Sequence, residues 1–371
     1  MARDPIRISL CGDVMLGRGV DQILAHPSDP ALFEEAITSA LKYVDLAERA
    51  NGRIPRPVGD DYVWGEALRI WRERPPHARI VNLETAVTTG RHPCPKGVNY
   101  RMHPDNVGCL KAAGIDCCVL ANNHILDWGM EGLRETVATL RKAGIATAGV
   151  GERRDEAREP ATIDLADGNR VLVYAMACSS AGVPLNWAAT YADAGVNFVE
   201  LYDSFVDRIT EQIARERQPG DVVIASIHWG GNWGYDVPTG HRDTAHALID
   251  LAGVDLVYGH SSHHPLAVEV HNGRPILYGC GDFITDYEGI AGHAEFRSDL
   301  VALYLVSLDP DTHRLTDLEL VPFHIRKMRL EQPSAEDRAW LAARLAREYA
   351  PFGLGLDDTG GTFRVVEKVT A

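Results

Sequence analysis

The sequence predicts an α/β domain in which strands and helices alternate along the chain. Apolar, β-rich runs recur through the sequence, and each ends on polar residues of types that bind ligands. Amphipathic segments with helical spacing lie between these runs, and this alternation is typical of a layered α/β fold. A chain of 371 residues is long enough for one large domain of this class, so we predict a single domain, 1–371, with elaborations.

The predicted strands are continuous apolar runs, as expected for strands buried on both faces of a sheet. In chain order the runs and their polar ends are IRISLCGDVMLGRG, ARIVNLETAVT, GIDCCVLANNHILDWG, RVLVYAMACSS, DVVIASIHWGGNW, GVDLVYGHSSHH and RPILYGCGDFITD. A later stretch, LVALYLVSLDPDTHRLTDLELVPFHI, predicts two strands joined by a polar turn.

The predicted helices carry recognisable start and stop signals. MEGLRETVATLRKAG ends on Gly144, HRDTAHALIDLAG ends on Gly253, and YDSFVDRITEQIARERQPG closes with Pro219 and Gly220. The last helix, SAEDRAWLAARLAREYAPFG, has Ser334 as its predicted N-cap, with acidic residues in its first turn. Residues 50–80 and 181–200 are predicted to be loop-rich insertions.

Charge and cysteine content exclude several functional classes. The formal net charge is −15, which argues against nonspecific binding to nucleic acid or to an anionic membrane, because both require a basic face. No apolar run approaches about 18 residues and no signal-peptide pattern is present, so we expect a cytoplasmic protein without a membrane partner. The seven cysteines form no CxxC pair, which favours reduced, buried thiols over a disulfide scaffold or a zinc ribbon.

Ligand-type side chains recur at the ends of five predicted strands. Binding residues of α/β folds lie just beyond the carboxyl ends of the strands, so these side chains should converge at one edge of a sheet. Each has an ordinary explanation when taken alone, such as a turn aspartate or an Asx turn, but recurrence at the same architectural position favours a metal site. The converging residues are Asp13, Glu84, Asn123, His124, His228, His260 and His263. This mixed oxygen and nitrogen shell suits one or two divalent ions of Mn, Fe or Zn.

The motifs as an ordered set resemble those of CapA-type proteins, the poly-γ-glutamate biosynthesis family. The motifs are GDVMLGR, NLETAVT, LANNHILDWG, IHWGGNWGYDVP and GHSSHHPLAVEVHNGRPILYGCGDF. The resemblance covers about 6–325, and the predicted C-terminal helical extension, about 334–352, follows it. The family is related to the calcineurin-like metallophosphoesterases, which implies a four-layer αββα sandwich with a metal centre at the strand ends.

The resemblance also implies roles for individual residues. The family's metal-binding positions correspond to Asp13, Glu84, Asn123, His228, His260 and His263. His124 corresponds to a histidine that contacts substrate without binding metal. Metallophosphoesterases usually begin with Asp-x-His, but Met15 occupies the place of that histidine, which leaves one metal position short of a ligand. The fifth motif is also altered, and His264 becomes an additional candidate ligand or acid/base.

Three functions remain open at this point, and we expect the first of them. Soluble relatives include epimerases of lasso-peptide precursors, and the absence of an anchor favours a cytoplasmic enzyme that epimerises a peptide through a metal-stabilised enolate. The alternatives are a metal-dependent hydrolase of amide or phosphoester bonds and a capsule poly-γ-glutamate biosynthesis or assembly protein. The candidate acid/base residues for epimerisation are His124, His264, His293, Cys178 and Cys280, although buried thiols are the ordinary reading of the two cysteines.

Several aromatic and basic residues flank the histidine-bearing loops. Trp128, Trp229 and Trp233 either pack in the core or form an apolar wall for a peptide side chain. Arg18, Lys96 or Arg101 would then bind a carboxylate of a peptide or polyglutamyl substrate. No sequence pattern predicts an oligomeric state.

Overall fold

A computed structural model describes residues 3–201, 203–290 and 292–368. The strands, in chain order, are β1 (Ile6–Val14), β2 (Ala78–Leu83), β3 (Ala86–Val87), β4 (Arg101–Met102), β5 (Cys117–Val119), β6 (Ala146–Ala148), β7 (Val150–Gly151), β8 (Ala161–Asp164), β9 (Arg170–Cys178), β10 (Gly195–Val196), β11 (Phe198–Val199), β12 (Val222–His228), β13 (Leu256–His260), β14 (Val268–His271), β15 (Arg274–Leu277), β16 (Asp282–Ile284), β17 (Leu300–Leu308), β18 (Leu315–Ile325), β19 (Leu330–Glu331), β20 (Leu354–Asp358) and β21 (Phe363–Glu367). The α-helices are α1 (Arg18–Asp21), α2 (Leu41–Asn51), α3 (Glu66–Glu73), α4 (Gly108–Ala112), α5 (Gly129–Lys142), α6 (Arg154–Arg158), α7 (Asp203–Glu216), α8 (Thr239–Asp250) and α9 (Ala335–Tyr349).

The first large sheet has the strand order β20-β21-β18-β17-β1-β2-β5-β6, with β16 paired to β1 and β19 to β18. Strands β1, β2, β5 and β6 run parallel, and β16 runs parallel to β1. The predicted hairpin is β17 and β18, which pair antiparallel. Its strand β17 also pairs antiparallel with β1, so the N-terminal strand lies in the interior of the sheet.

The second large sheet has the order β11-β9-β12-β13-β15-β14, with β8 paired to β9. Its central strands β9, β12 and β13 are buried on both faces, as β9 illustrates. Val171 and Val173 belong to the core shared with the first sheet, whereas Leu172 and Tyr174 pack in a second core with residues of α7 and α8. Both faces are covered, which explains why the sequence shows continuous apolar runs instead of alternation.

The two sheets pack face to face and are joined by a buried tyrosine. The hydroxyl of Tyr258 on β13 donates to the carbonyl of Cys11 at 2.5 Å and accepts from the backbone N–H of Asn82 at 3.2 Å. Helix α3 packs on the first sheet, where Trp71 Nε1 donates to Ser9 Oγ at 2.8 Å. The α/β prediction is confirmed, and so is the metallophosphoesterase-like sandwich that the family resemblance implied.

Two regions differ from the sequence prediction. The segment 50–80 contains α3, whose Ile70 and Trp71 are buried. After α9, the chain forms the hairpin of β20 and β21, which extends the first sheet and buries Leu354 and Phe363. Ser334 caps α9 as expected, since its hydroxyl accepts from the N–H of Asp337 at 3.1 Å. In the described ranges no helix is both long and apolar enough to cross a bilayer.

Candidate metal centre

The centre is built around Asp13 near the carboxyl end of β1. Strand β1 lies between β2 and β16, and the parallel registers place Asp13 opposite Asn82 and Asp282. Asn82 Nδ2 donates to Asp13 Oδ1 at 2.7 Å and lies 3.4 Å from Glu84 Oε2. The first sheet therefore gathers three carboxylates, those of Asp13, Glu84 and Asp282, at one buried point.

The second sheet supplies imidazoles to the same point. His228 and His260 end the neighbouring strands β12 and β13, lie opposite each other in the register, and have their Nδ1 atoms 2.7 Å apart. Ser226 Oγ is 2.8 Å from His260 Nε2 and fixes that ring. In the loop after β13, His263 Nδ1 lies 2.8 Å from Asp282 Oδ1.

These donors form two groups with metal-site spacing. Asp13, His228 and His260 form one group, and Asp13, His263 and Asp282 form the other; within each group the ligand atoms lie within 4.8 Å of one another. All five residues are buried. Because Asp13 belongs to both groups, the arrangement fits a pair of ions that share one carboxylate.

The electrostatics of the buried donors also fit cations. Burial, together with like charge from Asp282, raises the pKa of Asp13 to about 6, and burial beside Asp13 raises the pKa of Glu84 well above its ordinary value. Burial lowers the pKa of His260 to about 3, so its ring is a neutral donor at physiological pH. Asp282 Oδ2 is buried and has no hydrogen-bond partner among the described residues. Bound divalent ions would complete this set of carboxylates and imidazoles.

Asn122 and Asn123, which follow β5, have different roles in the structure. Asn122 Nδ2 donates to Asn82 Oδ1 at 3.0 Å and to the Leu83 carbonyl at 2.9 Å, which joins the loop to the end of β2. The next amide is directed toward the centre, with Asn123 Oδ1 lying 3.2 Å from His228 Nε2. The six predicted metal-binding residues thus lie in one connected cluster, and their binding of metal stays a prediction.

His124 is held at the edge of the cluster by Asp127. His124 Nδ1 lies 2.6 Å from Asp127 Oδ2, while its Nε2 is 3.7 Å from Glu84 Oε1. The same aspartate accepts from Lys96 Nζ at 2.8 Å and from the N–H of Tyr100 at 2.6 Å. Burial lowers the pKa of His124 to about 4. A neutral, oriented imidazole with Nε2 toward the centre fits a residue that contacts a bound ligand.

The other four candidate acid/base residues lie outside this cluster. Cys178 and Cys280 are fully buried, and burial raises the pKa of the Cys178 thiol to about 12 and that of Cys280 well above its ordinary value. His264 is buried with its ring centroid 4.6 Å from that of Phe296. His293 is exposed and stacks on Trp233 at 4.3 Å. In the described part of the chain, none of the four hydrogen-bonds to a carboxylate of the centre.

Two of the three predicted carboxylate-binding cations already have anionic partners. Arg18 is 5% exposed, and its guanidinium donates to both carboxylate oxygens of Asp286, at 2.5 and 3.1 Å, and to Glu34 at 2.9 Å. Lys96 is paired with Asp127 at 2.8 Å. These contacts favour a positioning role for both cations.

Arg101 differs, because its described hydrogen bonds go only to carbonyl oxygens. Its guanidinium donates to the carbonyls of Gly90 at 2.6 Å and Asp29 at 2.9 Å, and lies 4.0 Å above the ring of Trp128. Arg101 lines a cavity of about 560 Å³ together with Arg91 and Trp128. The positive charge of this guanidinium is thus available to an anionic ligand.

The two remaining tryptophans have contrasting environments. Trp229 is 2% exposed, donates through Nε1 to the Tyr278 carbonyl at 2.9 Å, and packs in the second core. Trp233 is half-buried, with its ring centroid 5.3 Å from that of His263. Of the two, only Trp233 stands beside the centre with part of its ring accessible.

Sequence reasoning missed Asp282 and the residues that orient the donors. Asp282 lies at the polar end of the last predicted run, RPILYGCGDFITD, but it is not among the residues that the sequence predicts to bind metal. Strand β16, which begins at Asp282, lies beside β1, and the Met15 N–H donates to the Ile284 carbonyl at 2.9 Å. The chain therefore supplies a carboxylate near the position where Met15 replaces the expected histidine. The sequence gives no signal for Asn82 or Asp127 beyond their places at or after predicted strand ends, and none for Ser226, which lies within β12.

The fold and the strand-end donors define a metallophosphoesterase-like α/β protein with residue groups suited to metal. The chain belongs to the family described as "Bacterial capsule synthesis protein PGA_cap", which it matches over residues 7–287. It is 46% identical over 354 residues to a "Probable polyglutamine synthesis accessory protein" of Mycobacterium tuberculosis, which covers 95% of this chain and 93% of that protein. It is 25% identical to the "PGA biosynthesis protein CapA" of Bacillus subtilis, over 76% of this chain and 64% of that protein. The "Capsule biosynthesis protein CapA" of Bacillus anthracis is 23% identical over 76% of this chain and 60% of that protein.

These relatives correct the functional prediction. The predicted peptide epimerase is wrong, because the relatives are named for polyglutamine, PGA or capsule synthesis and none is named as an epimerase. The structure gives a physical reason as well. Epimerisation needs an acid/base group on each face of the reacting carbon, and the proposed thiols are buried with raised pKa values.

Proposed function

We propose that this protein is an accessory protein of poly-γ-glutamate synthesis whose metal centre binds the carboxylates of a glutamyl chain. The proposal rests on the buried donor cluster around Asp13. The chain that carries this cluster is similar over nearly its whole length to a probable polyglutamine synthesis accessory protein. Asp13, His228 and His260 would hold one divalent ion of the Mn, Fe or Zn type, and Asp13, His263 and Asp282 would hold another. The bound ions supply positive charge for anionic ligands.

Charge supports this assignment of ligand. A protein with a formal net charge of −15 repels a polyanion over most of its surface. Binding therefore requires local positive charge, and bound divalent ions and the guanidinium of Arg101 are two sources of it. The Arg101 cavity and the centre are linked through consecutive residues, because Tyr100 packs against His124 with ring centroids 4.3 Å apart. A chain of repeating carboxylates would place one group on the ions and another at Arg101.

Binding of a labelled γ-glutamyl oligomer tests the proposal. We expect elemental analysis to find stoichiometric transition metal, and fluorescence anisotropy to show oligomer binding that EDTA abolishes and added Mn²⁺ or Zn²⁺ restores. Asp13→Ala should remove the metal bound around Asp13 and, with it, oligomer binding. Arg101→Ala should keep the metal and weaken oligomer binding about tenfold, the effect of losing a charge-assisted hydrogen bond.

Two controls separate specific recognition from general attraction between charges. Arg153→Ala removes an exposed arginine and should leave binding unchanged. α-Linked polyaspartate presents similar charge on a different backbone and should bind more weakly. Equal binding of both polymers, or oligomer binding that persists without metal, would contradict the proposal. In cells, a strain lacking the gene should lose polyglutamate output, and the wild-type gene, but not Asp13→Ala, should restore it.

A further inference from the structure

A second group of metal-type side chains lies on the outer face of the seven-stranded sheet, where α8 packs beside the edge strand β14. Helix α8 contributes His246 and Asp250, four residues apart and thus on one face of the helix. Strand β14 contributes Glu269 and His271, two residues apart and thus on one face of the strand. We call these four residues the α8–β14 cluster.

The side chains of the α8–β14 cluster are already in contact. His246 Nε2 lies 2.9 Å from Glu269 Oε1, and His271 Nε2 lies 2.9 Å from both carboxylate oxygens of Asp250. The two imidazole rings stack with centroids 3.8 Å apart and planes inclined by 10°. Ligand atoms of His246, Glu269 and His271 lie within 4.8 Å of one another.

Burial and orientation suit an ion that enters from solvent. The side chains of His246 and His271 are 25% and 21% exposed, and that of Glu269 is 10% exposed. Tyr278 donates its hydroxyl to Glu269 Oε2 at 2.7 Å, which fixes the carboxylate and leaves Oε1 directed at His246. A ligating carboxylate held by a hydrogen bond on its other oxygen is usual in metal sites.

We propose that the α8–β14 cluster binds one transition-metal ion of the Zn²⁺ type, with His246, Glu269 and His271 as ligands and Asp250 as a fourth donor. Two imidazoles with two carboxylates match the ligands and coordination number that Zn²⁺ prefers. The stacked rings must each turn about their Cβ–Cγ bonds, because two parallel planes cannot both contain one ion. This site is separate from the centre around Asp13 and goes beyond the proposed function.

An ion at this position would tie the edge of the sheet to the helix that covers it. Strand β14 pairs only with β15 in the described sheet, so its other edge has no strand neighbour. Without metal, the two elements are connected at this end by the pairs within the cluster, by Arg242 of α8, which lies 3.5 Å from Glu269, and by the packing of α8. Metal binding should therefore raise the melting temperature through linkage between binding and folding.

Metal counting in variants tests the proposal. Asp13→Ala removes the shared ligand of the main centre, and the histidine substitutions in the α8–β14 cluster then assign any tightly bound ion that remains. We expect this variant, titrated with Zn²⁺ at pH 7.5 in a calorimeter, to bind one equivalent with micromolar or tighter affinity. Adding His246→Ala and His271→Ala should weaken that binding at least a hundredfold. In the same background Co²⁺ should give the intense visible bands of four-coordinate geometry, and the two histidine substitutions should remove them.

The outcome does not depend on polyglutamate binding. His77→Ala in the Asp13→Ala background is the matched control for loss of a histidine outside the cluster, and it should keep the ion. If the double histidine variant folds poorly, Asp250→Ala replaces it, with an expected loss of affinity and a smaller Zn²⁺-induced rise in melting temperature. Millimolar binding that the histidine substitutions leave unchanged would overturn the proposal and identify an adventitious surface ion only.

Discussion

Replacing Asp13 by Asn should stabilise the metal-free protein at neutral pH while destroying the metal centre. Burial raises the pKa of Asp13 from 3.8 to about 6, a difference of about 2 units. At about 1.4 kcal/mol per unit, the charged carboxylate costs the metal-free fold about 3 kcal/mol at neutral pH. The variant also weakens the 3.3 Å hydrogen bond from the Ser261 N–H, at a cost of about 1 kcal/mol. The expected net gain is about 2 kcal/mol.

The pH dependence identifies the cause of this gain. A carboxyl with a raised pKa binds protons more tightly in the folded protein, so its destabilising effect is absent below about pH 4 and grows as pH rises through 6. Urea unfolding in EDTA should therefore show Asp13→Asn more stable than wild type at pH 7.5 and no more stable at pH 4. Saturating Zn²⁺ should reverse the order at pH 7.5, because only the wild type gains the binding energy of the centre around Asp13.

The exposed Asp236 provides the matched control, since Asp236→Asn removes a charge without changing a buried site. It should leave the free energy of unfolding within about 0.5 kcal/mol of wild type. An Asp13→Asn variant that is less stable than wild type without metal at both pH values would refute the reasoning. It would mean that the carboxylate stabilises the fold in its own right.

Three further outcomes follow from the same centre. Asp282→Asn should lower the metal content by one ion per chain in elemental analysis, because the group of Asp13 with the β12 and β13 histidines remains; loss of two ions per chain would contradict the two-ion arrangement of the centre. Calorimetric Zn²⁺ affinity of the wild type should fall as the pH drops through about 6, by about tenfold per pH unit for each proton displaced, since the pKa of Asp13 is near 6; an affinity that falls only below pH 4 would argue against carboxylate control. Gly12→Ala should yield protein without metal at the centre around Asp13, because the added Cβ would lie 1.8 Å from a backbone carbonyl oxygen of the chain entering β16, whereas Gly97→Ala, with nothing within 4 Å, should retain metal at wild-type stoichiometry.

The strand ends could be predicted from the sequence within each sheet, because neighbouring parallel strands end at the same edge. His228 and His260 illustrate this, since each ends a continuous apolar run and their strands are neighbours in the structure. The expectation that all donors share one sheet is wrong, since Asp13 lies on the first sheet and these imidazoles come from the second, which packs face to face with it. The same reasoning could not include Asp282. Strand β15 belongs to one sheet and β16 to the other, so the chain changes sheets within four residues. No periodicity in the sequence marks that change.

The burial and the partners of individual side chains distinguish residues that the sequence alone shows as equivalent candidates. The sequence shows Arg18, Lys96 and Arg101 as equivalent cations near the motifs, but only the folded chain shows which of them has a carboxylate partner. Likewise, Cys280 reads as a candidate base until its complete burial is known. The cytoplasmic location and the single-domain organisation stay predictions.

The interior position of β1 has a consequence for the order in which the chain can fold. Strand β1 is synthesised first, yet its antiparallel neighbour β17 begins at Leu300, near the end of the chain. Pairing of such distant segments is slow, and until β17 is available β1 exposes an unpaired strand edge that can pair with another chain and aggregate. The family match ends at residue 287, before β17. A chain shortened to the matched region would keep the donors around Asp13 but lack the strand that completes the sheet beside it, so we expect it to aggregate instead of folding.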